Sequence, residues 1–212
     1  MPPVILLLTL ACTGDEEVLV FPEGLAALAV NTAPLPADQA EAFETVWGEE
    51  YEYDWVHGQG YIHASVADVW AALQDLEVVV DRSAVHEYSF TGEGSDDFDV
   101  SFQVYNTVYD ILTVEYVREW RESAVAGTVD APEVVGIRFE KIEGSEVIEQ
   151  MVGSIILTET DDGHTHLDVV EQMIALQRGA APIVQYVQHL YEDAKAFAHG
   201  DPLPERSPDS TE

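Results

Sequence analysis

Residues 179–199 read GAAPIVQYVQHLYEDAKAFAH, and the fold follows from how this stretch must be packed. Ile183, Val184, Val187, Leu190, Tyr191, Ala194, Phe197 and Ala198 recur at helical spacing and lay one apolar stripe along a helix. Gln185, Gln188, Glu192, Asp193 and Lys195 occupy the other side. Pro182 suits a first turn, where no backbone donor is needed, and Gly200 followed by Pro202 supplies a stop. The spacing predicts a helix of about five turns. Such a helix has to bury its stripe, and most of the chain before it reads as strand, so its partner is a large sheet.

Outward from that helix the pattern is mostly of period two. Phe98, Val100, Phe102 and Val104 alternate with polar neighbours, as do Leu112, Val114, Tyr116, Arg118 and Trp120, and then Val135, Ile137 and Phe139. Met151, Gly153, Ile155 and Leu157 run up to Asp161-Asp162-Gly163, and Leu167, Val169, Glu171 and Met173 come back, a hairpin signature. With a strand over 85–90, six strands precede the long helix, and the turn clusters between them favour antiparallel pairing. Further upstream, YDWVHGQGYIHAS reads as a strand, with Gly58 and Gly60 marking a bulge or bend. Ser65 caps a helix whose buried stripe is Val66, Val69, Trp70, Leu73 and Leu76, and a short helical piece follows through Val80. The domain is expected over 52–200. Residues 13–51 read as a tether carrying a small helix over 36–47, on the spacing of Ala40, Phe43 and Trp47, and 201–212 read as a disordered acidic, Pro-rich tail.

Three segments carry a resemblance. GYIHASVADVWAALQDL, with Val69, Trp70 and Leu73 as its core, resembles the entry motif of the START-like, or SRPBCC, superfamily, which includes birch-pollen-allergen-like proteins and polyketide cyclases. VYDILTVEYVREW resembles that superfamily's cavity-lining strands, and RGAAPIVQYVQHLYEDAKAF its closing helix. The resemblance implies an α+β helix-grip: a curved antiparallel sheet of about seven strands wrapped around the C-terminal helix, with a cavity between them. It implies little about reaction, because one fold hosts carriers, sensors and enzymes.

Composition narrows the partners. Eight Lys+Arg against 41 Asp+Glu give a formal charge of −33, and Arg82 is the only basic residue before Arg118. A field of that sign repels phosphate backbones and anionic headgroups, which argues against nucleic acid and against docking on acidic membranes. The single cysteine, Cys12, excludes an intramolecular disulfide. Val4 to Leu10 form an apolar run too short to span a bilayer, followed by Ala11 and Cys12. The segment over 1–12 resembles a bacterial lipoprotein signal in which Cys12 is lipidated, which implies a lipid-anchored protein of the bacterial cell envelope whose membrane contact is through the anchor. It departs from that pattern in having no Lys or Arg before the apolar run. The alternative is a frayed apolar N-terminus on a cytoplasmic protein.

The candidate ligand-binding set is the inward register of the sheet together with the helix stripe. It comprises Phe98 and Phe102, then Leu112, Val114, Tyr116, Arg118 and Trp120, then Ile137 and Phe139. Met151 and Ile155, then Leu167, Val169, Glu171 and Met173, and Val187 and Tyr191 on the helix complete it. The two readings of this set are a hydrophobic small-molecule pocket and a packed core. Glu149, Arg118 and Glu171 are the charged members of that register, and burial would require pairing, so Arg118 and Glu171 are the expected polar anchor. His164 and His166 flank a turn at a spacing that puts both on one face within reach of a metal, but no third ligand is evident, although Asp161, Asp162 and Asp168 are near; His57 and His63 lie on the first strand, and no nucleophile, phosphate-loop or metalloprotease motif is present. The expected function is non-catalytic binding of a lipid or polyketide-like compound. A cyclase or dehydratase using Tyr116, Glu171 or a first-strand His, and a ligand-free interaction module, are the alternatives.

Overall fold

A computed structural model describes residues 19–50 and 53–208. The N-terminal segment with Cys12 lies outside the described residues. Strands β1 (Phe43–Glu49) and β2 (Asp54–Ile62) are followed by helices α1 (Val66–Ala72) and α2 (Leu76–Val79). Six strands come next: β3 (Glu87–Glu93), β4 (Val100–Tyr109), β5 (Thr113–Thr128), β6 (Ala131–Gly144), β7 (Ile148–Glu159) and β8 (Thr165–Ala175). Helix α3 (Ala181–His199) closes the fold.

The eight strands form one antiparallel sheet in the order β1-β2-β8-β7-β6-β5-β4-β3. The meander β3 to β8 folds back so that β8 pairs with β2, and α1–α2 carry the chain from β2 across to the far edge at β3. The sheet is thus curved and open, with α3 in its concavity, which is the helix-grip arrangement. Ser65 caps α1 by accepting a hydrogen bond from the Asp68 amide, and Asp75 caps α2 by accepting from the Glu77 amide. On α3, Ile183, Tyr186, Val187, Leu190, Tyr191 and Ala194 are buried against the sheet, and Gly200 ends the helix at φ 71°. Tyr186 completes the expected stripe at the i+3 position from Ile183. Asp193, assigned by periodicity to the polar side, is buried with Arg82 and Arg206 as its partners.

Four expectations are corrected. Residues 43–49 form an eighth strand and not part of a helix, because Phe43 lies over Gly58 and stacks on Tyr191 of α3 at 4.7 Å, a placement that pairing with β2 provides. Gly58 and Gly60 mark no bulge: the pairing of β2 runs unbroken on both sides, and the two glycines leave room for the Phe43 ring and the Ala42 backbone. The sheet therefore begins before residue 52. Residues 25–33 of the expected tether lie across the sheet's convex side, where Leu25 and Ala33 are buried, Leu28 donates to Ser154 Oγ at 2.9 Å, and Arg138 donates to the Ala26 carbonyl at 3.2 Å. At the other end, residues 201–208 lie against α3, with Arg206 paired to Glu192 and Asp193 and Leu203 packed on the core.

Candidate functional site

The concave face is largely apolar but buries the charged pair Arg118 and Glu171, and with them Glu122 and Asn106. Along β5 the side chains of Val114, Tyr116, Arg118, Trp120 and Glu122 all point inward, because a strand alternates faces with period two. Facing them across the sheet are Phe102 and Val104 on β4, Ile137 and Phe139 on β6, Met151, Ile155 and Leu157 on β7, and Leu167, Val169, Glu171 and Met173 on β8. Val187 and Tyr191 close over them from α3.

Arg118 reaches from β5 across β6 and β7 toward β8. Its guanidinium carbon sits 4.8 Å from the Tyr186 ring centre, 5.1 Å from that of Phe139 and 6.0 Å from that of Tyr116, an aromatic enclosure on three sides. Nη2 donates to Met151 Sδ at 2.6 Å and lies 3.8 Å from Glu171 Oε1, an ion pair wider than a hydrogen bond. Gly153, opposite both Phe139 and Glu171 in the sheet register, makes this possible, since a Cβ there would occupy the space of the Phe139 ring. Burial pushes the Glu171 carboxyl up to about 7, with Arg118 pulling the other way and Asp81 adding to the rise. For Arg118 burial acts to discharge the group, but Tyr186, Tyr116, Glu171 and Asp81 together outweigh it, so the guanidinium stays protonated. Two atoms at this centre, Arg118 Nε and Glu171 Oε2, are buried with no hydrogen-bond partner among the described residues, as are Glu122 Oε1 further along β5 and, away from it, Arg82 Nε and Arg121 Nε. Buried polar atoms are nearly always paired in folded proteins, so these are exceptions to the rule.

Two members of the expected set fall outside this interior. Leu112 is 59 % exposed in the turn before β5 begins, and Phe98 precedes β4 in a turn that reverses its facing, so that its ring lies 5.9 Å from the Arg121 guanidinium on the convex side. Glu149 is exposed because the register slips between Ile148 and Gln150. The sequence reading missed Glu122, although it continues the 114, 116, 118, 120 series by one step.

The histidines lie elsewhere. His57 is buried on the convex side, where Nδ1 accepts from the Ala33 amide at 2.6 Å and Nε2 meets Asp168 at 3.1 Å. A shallow cleft of about 230 Å³ beside it is lined by residues 27–30 and by His166, Asp168 and Val170. His166 approaches Gln59 at 3.3 Å, and His63 is exposed and stacked on His164 at 4.2 Å. Both ring nitrogens of His57 are engaged on the far side of the sheet, which removes it as an acid or base for the interior. His63 is likewise outside.

The chain has the helix-grip fold of START-like domains. Human StAR-related lipid transfer protein 5 superposes with a TM-score of 0.52 at 8% identity, over 77% of this chain and 85% of that one. A STAR-related lipid transfer protein from Xanthomonas axonopodis gives 0.49 at 18% identity over 77% and 96%, and the Zhui aromatase/cyclase from a Streptomyces species gives 0.45 at 12% over 75% and 93%. No protein-family model matches the chain, and no curated protein matches it. At these identities the likeness is one of fold.

Proposed function

We propose that this domain holds an apolar small molecule between the sheet and α3, anchored by a neutral hydroxyl-type group at Arg118 and Glu171, and leaves it chemically unchanged. The observation that carries the reading is the pair of partnerless atoms, Arg118 Nε as a donor and Glu171 Oε2 as an acceptor, buried together among aromatic and aliphatic side chains. A hydroxyl both accepts and donates, so it answers both atoms; with Glu171 ionised the pair is already neutral, and a second carboxylate would upset that balance. A lipid alcohol, a sterol-like compound or a phenolic polyketide has this form. The test is native mass spectrometry of the full chain followed by organic extraction. A retained apolar compound with a hydroxyl supports the reading. An empty protein that binds no long-chain alcohol, sterol or polycyclic phenol overturns it in favour of a ligand-free interaction module.

A second reading has an observation of its own. Glu171, raised to about 7 beside a fixed cation, is poised to exchange a proton near neutrality, as a cyclase or dehydratase would require. Turnover of the extracted compound by the wild type and not by Glu171→Gln would establish it. We also propose that Cys12 carries the lipid anchor of an envelope protein, which intact-mass measurement on membrane-extracted protein tests directly. Among the described residues no helix is long and apolar enough to cross a membrane.

A further inference from the structure

Glu122 is a second buried carboxyl on the same face, and neither the fold nor the first anchor accounts for it. It is fully buried on β5, across from Val100 on β4 and Ile137 on β6. Trp70 on α1 donates its indole N–H to Oε2 at 2.5 Å, while Oε1 has no partner among the described residues, and no ion pair to Glu122 is found among them. A carboxylate held in apolar surroundings without a cation is costly, so the group takes up a proton. Because Oε2 is occupied as an acceptor for Trp70, the proton resides on Oε1, which becomes a hydrogen-bond donor without an acceptor. Burial pushes this carboxyl up to about 8, against the opposing pull of the Trp70 hydrogen bond. An apolar residue would fill the site without that cost.

We propose that Glu122, clamped by Trp70, is a second ligand anchor that donates a hydrogen bond to a neutral oxygen, such as a carbonyl, at the far end of the molecule held at Arg118 and Glu171. The inference rests on the binding reading above and deepens it. Arg118 and Glu122 are four residues apart on one strand, so their backbone positions are separated by about 13 Å. Trp120 stands between them, and its stacking on Phe102 at 6.0 Å and on Phe139 at 4.6 Å makes an aromatic row that crosses the strands at right angles to that direction, so an elongated apolar body joining the two anchors would pass over its middle ring. The ligand class is thus a long or polycyclic apolar compound with a hydroxyl at one end and a carbonyl at the other.

The experiment titrates the full chain with a long-chain primary alcohol and with its keto derivatives, the oxo group stepped along the chain. In the wild type one oxo position binds about tenfold more tightly than the plain alcohol, the size of one hydrogen bond. Glu122→Gln, which keeps an acceptor for Trp70 and a donor at the other atom, retains that preference. Glu122→Leu loses it while still binding the alcohol. On the wild type, the infrared carbonyl band of the protonated carboxyl shifts when the preferred ketone binds and not when the alcohol binds, a readout that does not depend on a variant folding. Equal affinity for the alcohol and every ketone, or a preference that Glu122→Leu keeps, overturns the second anchor alone. Failure of the wild type to bind any of these probes overturns it together with the binding reading.

Discussion

The Arg118 guanidinium lies 3.8 Å from the Glu171 carboxylate and 4.8 Å from the centre of the Tyr186 ring, so this buried cation is held by both an anion and a ring. Three separate elements meet there: β5 gives the cation, β8 the acid and α3 the ring. Their convergence defines the polar end of the interior.

Glu171→Gln is expected to weaken binding of a long-chain alcohol by about tenfold or more, the worth of a hydrogen bond to a charged group. The melting temperature should fall as well, since Arg118 stays protonated and buried and loses the anion that pairs it. Arg118→Met should weaken binding similarly and leave Glu171 protonated at neutral pH. Calorimetric titration beside thermal melts separates affinity from stability, and an unchanged affinity in both variants would remove the anchor.

Stability should fall as pH rises from about 5 to 8. Glu122 and Glu171 have folded-state values of about 8 and about 7, above the ordinary 4.5, so between those limits the folded state holds more protons than the unfolded state. Stability then decreases with pH, by a few kcal/mol across the window for a shift of this size. The check is denaturant unfolding at several pH values for the wild type and for Glu122→Gln, in which the part of the slope nearest pH 8 should disappear.

Gly153→Ala should destabilise the protein by about 1–3 kcal/mol, the usual cost of overpacking. The added methyl meets the Phe139 ring, which is itself stacked on Trp120 at 4.6 Å, so the displacement is passed along the aromatic row. A lower denaturation midpoint with an unchanged m-value is the expected signature.

His57→Ala should loosen the convex-side segment without touching the interior. His57 accepts from the Ala33 amide, and Gln59 donates to the Ala33 carbonyl, so loss of the imidazole releases the segment's C-terminal end. Faster amide exchange over residues 25–36 with unaltered ligand affinity is the outcome expected. A loss of affinity would instead place His57 in the binding machinery.

Much of the architecture was legible in the chain. The period-two runs from 100 to 173 and the apolar stripe of α3 each name a face to be buried, and burial of both requires the helix to lie on the sheet. Arg118 and Glu171 were legible for the same reason: charges in an apolar register have to find each other. Some signals were present and harder to read. The run Val152 to Leu157 carries apolar residues on both faces of β7, broken only by Ser154, the mark of a strand covered on both sides, and the convex-side segment is what covers it.

Other features rest on tertiary contact alone. In isolation, residues 43–47 suit a helix as well as a strand, and pairing with β2 makes them β1, because only there does Phe43 find Gly58 below it and Tyr191 beside it. The outward turn of Phe98 and the slip at Glu149 depend on where neighbouring strands begin and end. The sequence by itself determined which residues must leave water, since that depends on composition and period. The tertiary structure decided which of them meet, and so which buried atoms, among them Arg118 Nε, Glu171 Oε2 and Glu122 Oε1, have no hydrogen-bond partner among the described residues. Hydrogen-bond completion is a property of three-dimensional distances that no pattern along the chain encodes.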